Sequence, residues 1–253
     1  MTRCTAGPAA VFPGSGPMIS AGWWRDSRSC DHRLIEGAPL VRERGPVHLD
    51  GMDQHCLNVT RIAAALRAPS TGTSDFELNP AARPPEPFDL RPASVLVPLI
   101  ERGAGLNVIL TRRAAHLRNH PGQIAFPGGR QDPIDPTPLD AALREAREEI
   151  GLAREQVTVL GGFDAHETVT RFSVSPFVGL VDTGFMPVIA PAEVEEVFEV
   201  PLAFVLDPAN RQTHRRVWSG GWRRYQAMPY GPHYIWGATA RMLISLGDRM
   251  RDP

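Results

Sequence analysis

The sequence contains no lysine, so all 27 of its basic residues are arginines. These are balanced by 28 acidic residues, which leaves a formal net charge of −1 on 253 residues. A chain so close to neutrality gives no reason to expect attraction to nucleic acid or to a membrane surface, and we predict neither as a partner. We attribute the lack of lysine to coding bias rather than to a physical demand for arginine.

Cysteine is scarce as well. Cys4, Cys30 and Cys56 are an odd number without a C-x-x-C pair, which indicates neither a disulfide framework nor a zinc site. No apolar run approaches the roughly 20 residues needed to cross a bilayer. The N-terminus also lacks the charged start and apolar core of a secretory signal. We therefore predict a cytoplasmic protein with reduced thiols.

The composition changes along the chain. Residues 1–51 are rich in Gly, Pro, Ser and Arg without a hydrophobic period, which predicts a disordered tail or an extension from too early a start codon. Met52 would then be the true start, and a partner-binding arm built on the tail's tryptophan pair is the alternative. Residues 52–92 are expected to form a short helix and a proline-rich connector. Residues 93–250 are expected to form one α/β domain.

Within this domain, apolar and β-branched runs bounded by glycine turns predict strands. An acidic segment follows at Glu193–Val200, then a helical turn at Pro201–Leu206, and Ala238–Met250 is expected to be a closing amphipathic helix. The predicted strands are Ser94–Ile100, Leu106–Thr111, Gln123–Phe126, Val157–Phe163, Ser173–Val181, Arg215–Trp218, Trp222–Gln226 and Tyr234–Trp236.

The most informative stretch is Gly128–Leu152, which predicts a loop followed by a helix. Thr137 is a typical N-cap, Pro138 suits the first helical position, and Gly151 is placed to end the helix. At about 100° per residue, Leu139, Leu143, Ala146 and Ile150 share one face. Three glutamates fall on the opposite face, namely Glu145, Glu148 and Glu149.

Clustered glutamates on a helix admit two explanations. Like charges three or four residues apart destabilise a helix by about 0.2–0.5 kcal/mol per pair. The first explanation is a solvent-exposed face on which Arg144 and Arg147 offset this repulsion. Alternatively, the carboxylates bind a hard cation such as Mg²⁺ together with substrate phosphates. The preceding Gly128 and Gly129 would let the backbone approach a ligand closely. That arrangement suits metal-assisted attack of water on a phosphate.

The stretch Arg144–Leu152 has the sequence REAREEIGL. It resembles the second half of the Nudix box, G-x5-E-x7-R-E-U-x-E-E-x-G-U with U apolar, at every fixed position. The first half departs from that pattern. Asp135 stands where the box has glutamate, and eight residues rather than seven separate it from Arg144. We therefore expect Asp135 at most to order the loop.

A second pattern lies just upstream, in Ile109–Gly129, whose sequence is ILTRRAAHLRNHPGQIAFPGG. It is similar to the signature of coenzyme A pyrophosphatases within the Nudix superfamily, L-L-T-x-R-S/A followed at set distances by Leu-Arg, Gly and Phe-Pro-Gly-Gly. Only the first leucine differs, as Ile109. A lengthened first half of the box with aspartate is also typical of this group. The resemblance covers about residues 90–250.

The resemblance implies a Nudix-type α/β/α sandwich with a mixed β-sheet, and hydrolysis of a diphosphate with Mg²⁺ or Mn²⁺. It implies that Arg144 orients the glutamates and that Gly129 shapes the loop at the metal. Glu193, in the acidic stretch after the box, is a further candidate ligand or base, although its segment could simply pack on the core. The implied metal ligands, any of which could help to deprotonate water, are Glu145, Glu148 and Glu149.

For coenzyme A the products would be 4′-phosphopantetheine and 3′,5′-ADP. This substrate carries a diphosphate and a separate 3′-phosphate, which Arg113, Arg118 and His120 could bind through charged hydrogen bonds. Gly128 and Gly129 would border the same substrate. The same residue types are equally expected on an ordinary surface loop.

Two alternatives remain at this stage. One is a Nudix hydrolase of another nucleoside diphosphate derivative, such as ADP-ribose. The other is a non-catalytic Nudix-like domain that binds a nucleotide to regulate a partner, which the retention of all three helix glutamates disfavours. A small molecule is the expected partner, and the sequence does not indicate an oligomeric state.

Overall fold

The computed structural model describes residues 59–251 apart from residues 70, 87, 104, 219 and 220. The expectations for residues 1–51 and for Met52 as the start lie outside these residues. The described part contains four α-helices, α1 Val59–Arg67, α2 Pro138–Ile150, α3 Leu202–Leu206 and α4 Gly237–Arg251. None of these helices is long and apolar enough to cross a membrane.

Strands make up most of the remaining regular structure in the described residues. Each of the eight predicted strands overlaps an observed one and is confirmed. The strands are β1 Thr73–Ser74, β2 Arg91–Arg102, β3 Gly105–Arg113, β4 Ile124–Ala125, β5 Gly128–Arg130, β6 Val157–Gly162, β7 His166–Glu167, β8 Phe172–Val181, β9 Val194–Pro201, β10 Gln212–Trp218, β11 Gly221–Tyr230 and β12 His233–Trp236.

The strands form one large mixed sheet and one small antiparallel sheet. In the large sheet β2 pairs antiparallel with β3 and β5 and parallel with β8. The antiparallel pairing of β9 with β3 then brings β9 beside the upstream segment. The strands β10, β11 and β12 form the small sheet.

Alternating side chains on β2 divide the core into two layers. Leu96 and Ile100 pack against the apolar face of α2. Val97 and Leu99 point to the other face of the sheet, where they join the core formed with α1, α3 and α4. Because successive side chains of a strand point to opposite faces, one strand supports both layers. The expected α/β/α sandwich with a mixed sheet is confirmed.

The ends of α2 follow the predicted capping chemistry. The Thr137 hydroxyl accepts the Asp140 backbone N–H at 3.2 Å, and Gly151 ends the helix with φ 72°. Its N–H donates to the Arg147 carbonyl at 3.0 Å. Leu143, Ala146 and Ile150 are buried as expected, while Leu139 is only partly buried. The helix is therefore fixed at both ends and along one face.

The region expected to be a proline-rich connector contains more structure than predicted. Its helix α1 is confirmed, but β1 follows and pairs in parallel with β7, and Pro80–Ala82 forms a 3-10 turn. The acidic segment at Glu193–Val200 is largely strand β9. Two-residue strands such as β1 and β7 are too short to show a period of 2, so the sequence did not predict them.

Candidate active site

Three carboxylates from two parts of the chain meet at one end of α2. Glu145 and Glu149 lie on the helix, and Glu193 lies just before β9. One carboxylate oxygen from each can be chosen so that the three atoms lie within 4.8 Å of one another. The cluster therefore joins two of the three helix glutamates to the downstream acid.

Glu149 is the buried member of this cluster, with 3% of its surface exposed. The Gly128 N–H donates to one of its oxygens at 3.2 Å, and an Arg113 guanidinium nitrogen lies 3.8 Å from the other. Burial raises the pKa of Glu149 to about 7, and the Glu145 and Glu193 charges add to the rise while Gly128 and Arg113 oppose it. The two ends of the upstream segment thus converge on one carboxylate.

Glu145 is held against the glycine loop. A Cβ atom added at Gly129 would lie 2.5–2.8 Å from the three carboxylate atoms of Glu145, closer than van der Waals contact allows. At Gly128 an added Cβ would lie 2.5 Å from the Ser94 carbonyl oxygen. Burial also raises the pKa of Glu145. Both glycines are therefore required by close approach, one to a carboxylate and one to backbone.

Backbone hydrogen bonds connect Glu193 to α2. The Ala190 N–H donates to the Glu149 carbonyl at 3.0 Å, and the Glu193 N–H donates back to the Ala190 carbonyl at 3.0 Å. The Glu193 carbonyl accepts the Ala114 N–H at 2.9 Å. Glu193 itself is exposed, so the bonds fix its position while its carboxylate stays accessible.

Glu148 has a different environment. Its side chain is 56% exposed and accepts a hydrogen bond from Arg144 at 2.9 Å. It does not belong to the three-carboxylate cluster, so in this arrangement it is part of the solvated face. The geometry does not test its predicted role as a metal ligand, and we expect Glu148 to contribute less to metal binding than Glu149 does.

Arg144 links the loop to the helix. It donates two 3.0 Å hydrogen bonds to the carboxylate oxygens of Asp135 and lies 3.1 Å from Glu145. The Asp135 hydrogen bond raises the pKa of Arg144, and the Arg144 bond lowers the pKa of Asp135. Asp135 also accepts the Asp132 N–H at 2.8 Å. These contacts agree with the loop-ordering role expected for Asp135.

The loop after β3 carries the remaining predicted site residues. His120 is half-buried with φ 54°, and burial and the Arg113 charge lower its pKa. The Gly122 N–H donates to the Arg113 carbonyl at 3.1 Å and closes the loop. Arg118 is exposed. In the described residues, no hydrogen bond or ion pair joins its side chain to the carboxylate cluster.

The donor set fits a hard divalent cation. All three clustered groups are carboxylates, and oxygen ligands are those that Mg²⁺ and Mn²⁺ prefer. The nearly complete burial of Glu149 beside two like charges is costly without a cation to compensate it. Glu145, Glu149 and Glu193 are thus the residues that could hold the metal.

Sequence reasoning missed two features that shape the site. The pairing of β3 with β9 shifts register at Arg112 and Arg113, where Glu195 is an additional residue, and such bulges bend a strand locally. Ser94, opposite Gly129 on β2, is fully buried, and its hydroxyl has no hydrogen-bond partner among the described residues. Neither feature leaves a local pattern in the sequence.

Comparison with known proteins gives matches to a family model, to curated proteins and to solved structures. The NUDIX domain model matches residues 90–218. A protein named uncharacterized Nudix hydrolase NudL from Cronobacter sakazakii is 39% identical over 164 residues, 62% of this chain and 81% of that protein. Its namesake from Salmonella typhimurium is 36% identical over 181 residues, 68% and 90% of the two chains. The crystal structure of a MutT protein from Methanosarcina mazei is 20% identical, covers 66% of this chain and 99% of its own, and has a TM-score of 0.43.

Proposed function

This chain belongs to the NUDIX domain family of hydrolases that act on diphosphate bonds, and we propose that its substrate is coenzyme A. The reaction hydrolyses the diphosphate to give 4′-phosphopantetheine and 3′,5′-ADP, and acyl and oxidised forms of coenzyme A are further substrates. Mg²⁺ or Mn²⁺ is the proposed cofactor. Reaction and substrate rest on different observations.

One observation carries the substrate proposal. The segment that resembles the coenzyme A pyrophosphatase signature begins on β3 and ends at the glycine pair. Near its start, Arg113 lies 3.8 Å from Glu149, and at its end the Gly128 N–H donates to the same side chain. A diphosphate bound at the acidic cluster would therefore lie beside the residues that are typical of coenzyme A hydrolases. This supports recognition of coenzyme A by the segment itself.

The roles proposed for the residues follow from their charge and position. Glu145, Glu149 and Glu193 would hold the cation, which supplies positive charge for the diphosphate and favours attack by water. Arg113 offers a guanidinium to a phosphate oxygen next to the cluster. Arg118, which is exposed on the same loop, would bind the separate 3′-phosphate. Arg144 holds Glu145 and Asp135 in place without contacting substrate.

The test is a comparison of kcat/KM for coenzyme A, acetyl-coenzyme A, ADP-ribose and diadenosine tetraphosphate with Mg²⁺ and then Mn²⁺. We expect kcat/KM for coenzyme A and its acyl form to exceed that for ADP-ribose and diadenosine tetraphosphate at least about 100-fold. When either of the latter is bound, the charged groups that bind the 3′-phosphate of coenzyme A have no partner. Equal or greater efficiency with ADP-ribose would assign the alternative specificity.

A variant of the recognition loop sharpens the comparison. Arg118→Gln is expected to raise KM for coenzyme A about tenfold, the loss of one charged hydrogen bond, and to leave ADP-ribose hydrolysis unchanged. Arg67→Gln, an exposed arginine on α1, is the matched control and should alter neither. An equal effect of Arg118→Gln on both substrates would contradict recognition of the 3′-phosphate by this residue.

A further inference from the structure

The charges of the chain are unevenly distributed. No acidic residue occurs between Asp207 and Asp248, a stretch that contains six arginines. Two of these have acidic partners, since Arg211 lies 2.6 Å from Asp248 and Arg241 lies 2.9 Å from Glu77. The other four lie on the hairpin of β10 and β11, at Arg215, Arg216, Arg223 and Arg224.

The hairpin places these arginines directly opposite one another. Arg215 pairs with Arg224 on one face, and Arg216 pairs with Arg223 on the other. Like charges at opposed positions of a sheet destabilise it. In the part of the chain that the structure describes, none of the four forms an ion pair with an acidic side chain. The hairpin therefore presents positive charge on both faces without internal compensation.

An apolar pair lies beyond the arginines. Val217 and Trp222 face each other across the strands, with 54% and 62% of their surfaces exposed. They lie two residues nearer the turn than Arg215 and Arg224 on each strand, which is about 7 Å at 3.3 Å per residue. The hairpin thus has an apolar end behind which the arginines form a basic collar.

The hairpin is anchored to the domain at the collar itself. The Asn79 side chain accepts the Arg224 N–H at 2.8 Å and donates to the Arg224 carbonyl at 2.8 Å. Further along β11, Ala227 and Met228 are buried in the protein. The collar is therefore fixed to the domain through Arg224, and Trp222 borders an open groove whose other side is formed by residues 78–82.

We propose that this hairpin binds the surface of an anionic lipid bilayer. Interfacial elements bury apolar and tryptophan side chains roughly 5–10 Å into the boundary between headgroups and acyl chains. At that depth the collar of arginines lies level with the lipid phosphates, to which guanidinium groups donate paired hydrogen bonds. The apolar end and the collar therefore match the two layers of a membrane interface.

Nucleic acid fits the same surface less well. Binding of single strands relies on bases stacking on free aromatic faces, but the Arg215 guanidinium lies 4.8 Å from the centre of the Trp222 ring and occupies one face. An exposed valine gives no advantage at a phosphate backbone, whereas it does in a bilayer. The net charge of −1 does not indicate this surface, because acidic residues elsewhere in the chain offset the charge of the hairpin arginines. A membrane, however, attracts only the charges that lie within about a Debye length of its surface.

The test is co-sedimentation of the full chain with vesicles of phosphatidylglycerol and phosphatidylcholine in equal amounts, against vesicles of phosphatidylcholine alone. We expect binding to the anionic vesicles only, weakening as salt is raised. Each arginine near the surface contributes about a fivefold factor in partition, so R215Q/R224Q should bind at least about tenfold more weakly. The variant V217S/W222S, which keeps all four charges, should also lose binding. The controls R67Q and M186S, at an exposed arginine and an exposed methionine elsewhere, should bind as the wild type does.

Each contrary outcome overturns the proposal. Absence of sedimentation with anionic vesicles, equal sedimentation with neutral ones, or undiminished binding by both hairpin variants would exclude the hairpin as a lipid-binding element. Retention on a single-stranded oligonucleotide without vesicle binding would assign the surface to nucleic acid instead. Circular dichroism of the variants checks that they fold. The proposal does not depend on the substrate, so coenzyme A hydrolysis and vesicle binding can fail independently.

Discussion

A substitution at Gly129 is expected to lower catalytic activity without lowering the stability of the fold. Its missing Cβ leaves room for the Glu145 carboxylate, and nothing else lies among the three nearest atoms to that position. In Gly129→Ala we expect Glu145 to be displaced and kcat to fall about 100-fold, the cost of misplacing a catalytic group by about 1 Å. Stability should change little because the displaced group is a side chain.

The matched variant is Gly128→Ala. There the added Cβ would collide with backbone, at Ser94 and Val95, so the melting temperature should fall as well as the activity. Steady-state kinetics with Mn²⁺ and thermal denaturation of both variants provide the measurement. Wild-type kcat in Gly129→Ala would refute the role given to this glycine.

The contacts of Asp135 predict how the stability of the fold changes at low pH. Its pKa is lowered in the folded protein, chiefly by the hydrogen bonds from Arg144. A carboxyl group whose pKa is lowered by folding stabilises the folded state. The full contribution is present at pH values above the unfolded pKa of about 3.9, and it is lost as the pH falls through the folded pKa. Asp135→Asn should therefore be less stable at pH 7 by roughly 1–3 kcal/mol and should lose less further stability on acidification.

Chemical denaturation of wild type and Asp135→Asn at pH 7 and in steps from pH 5 downward tests whether the difference in their free energies of unfolding shrinks as the pH falls. Asp89→Asn, at an exposed aspartate outside the loop, is the control and should follow the wild type. Parallel curves for Asp135→Asn and wild type would show that the pair with Arg144 does not stabilise the fold.

The three helix glutamates mark the limit of prediction from residue types. Their spacing placed them within one arc, but the helical period could not tell which faced the loop and which faced solvent. In the structure Arg144 binds Glu148 at the surface, whereas Gly128 binds Glu149 in the interior. The choice depends on backbone groups 21 residues away in sequence, and such contacts leave no local pattern.

Backbone hydrogen bonds connect the last turn of helix α2 to the segment that carries Glu193. The Val188 N–H donates to the Ile150 carbonyl and the Ala190 N–H to the Glu149 carbonyl, so the segment that carries Glu193 is attached to the end of the helix. Gly151 sits between them with φ 72°, and a Cβ there would lie 3.0 Å from the Val188 side chain. We therefore expect a shift of the helix end to displace the third carboxylate as well.

Gly151→Ala tests this coupling. The left-handed conformation costs a residue with a Cβ about 1–2 kcal/mol, so the melting temperature should fall. Strain at Val188 should also shift Glu193, raising the Mn²⁺ concentration needed for half-maximal activity. Gly103→Ala, where an added Cβ meets nothing within 4 Å, is the control. Reduced stability with unchanged metal dependence would show that the attachment is structural only.

Elements with strong patterns were predicted well, and short or irregular ones were not. The helix α2 followed from a cap, a proline, an apolar face and a terminal glycine, which all agree. By contrast, β1 and β7 contain two residues each, and the bulge opposite Arg112 and Arg113 depends on the register of two strands far apart in sequence. Local propensity does not encode either feature.

For the molecule as a whole, the site geometry predicts that the metal stabilises the fold. A cation that binds only the native state adds about 2.7 kcal/mol at a concentration 100 times its Kd, so Mn²⁺ should raise the melting temperature and EDTA should reverse the rise. Glu149→Gln should abolish this shift. Glu148→Gln should retain most of it, because Glu148 pairs with Arg144 outside the cluster. A loss in Glu148→Gln as large as in Glu149→Gln would place Glu148 among the ligands.

Hydrolysis of coenzyme A at a carboxylate-bound metal is tested most directly by identifying the products. Purified protein is incubated with coenzyme A and Mg²⁺, and the nucleotide and pantetheine products are separated by mass, with Glu149→Gln as the inactive control. We predict equal amounts of 3′,5′-ADP and 4′-phosphopantetheine from the wild type and neither from the variant. Intact coenzyme A after incubation with the wild type, under conditions in which ADP-ribose is cleaved, would contradict the proposed substrate.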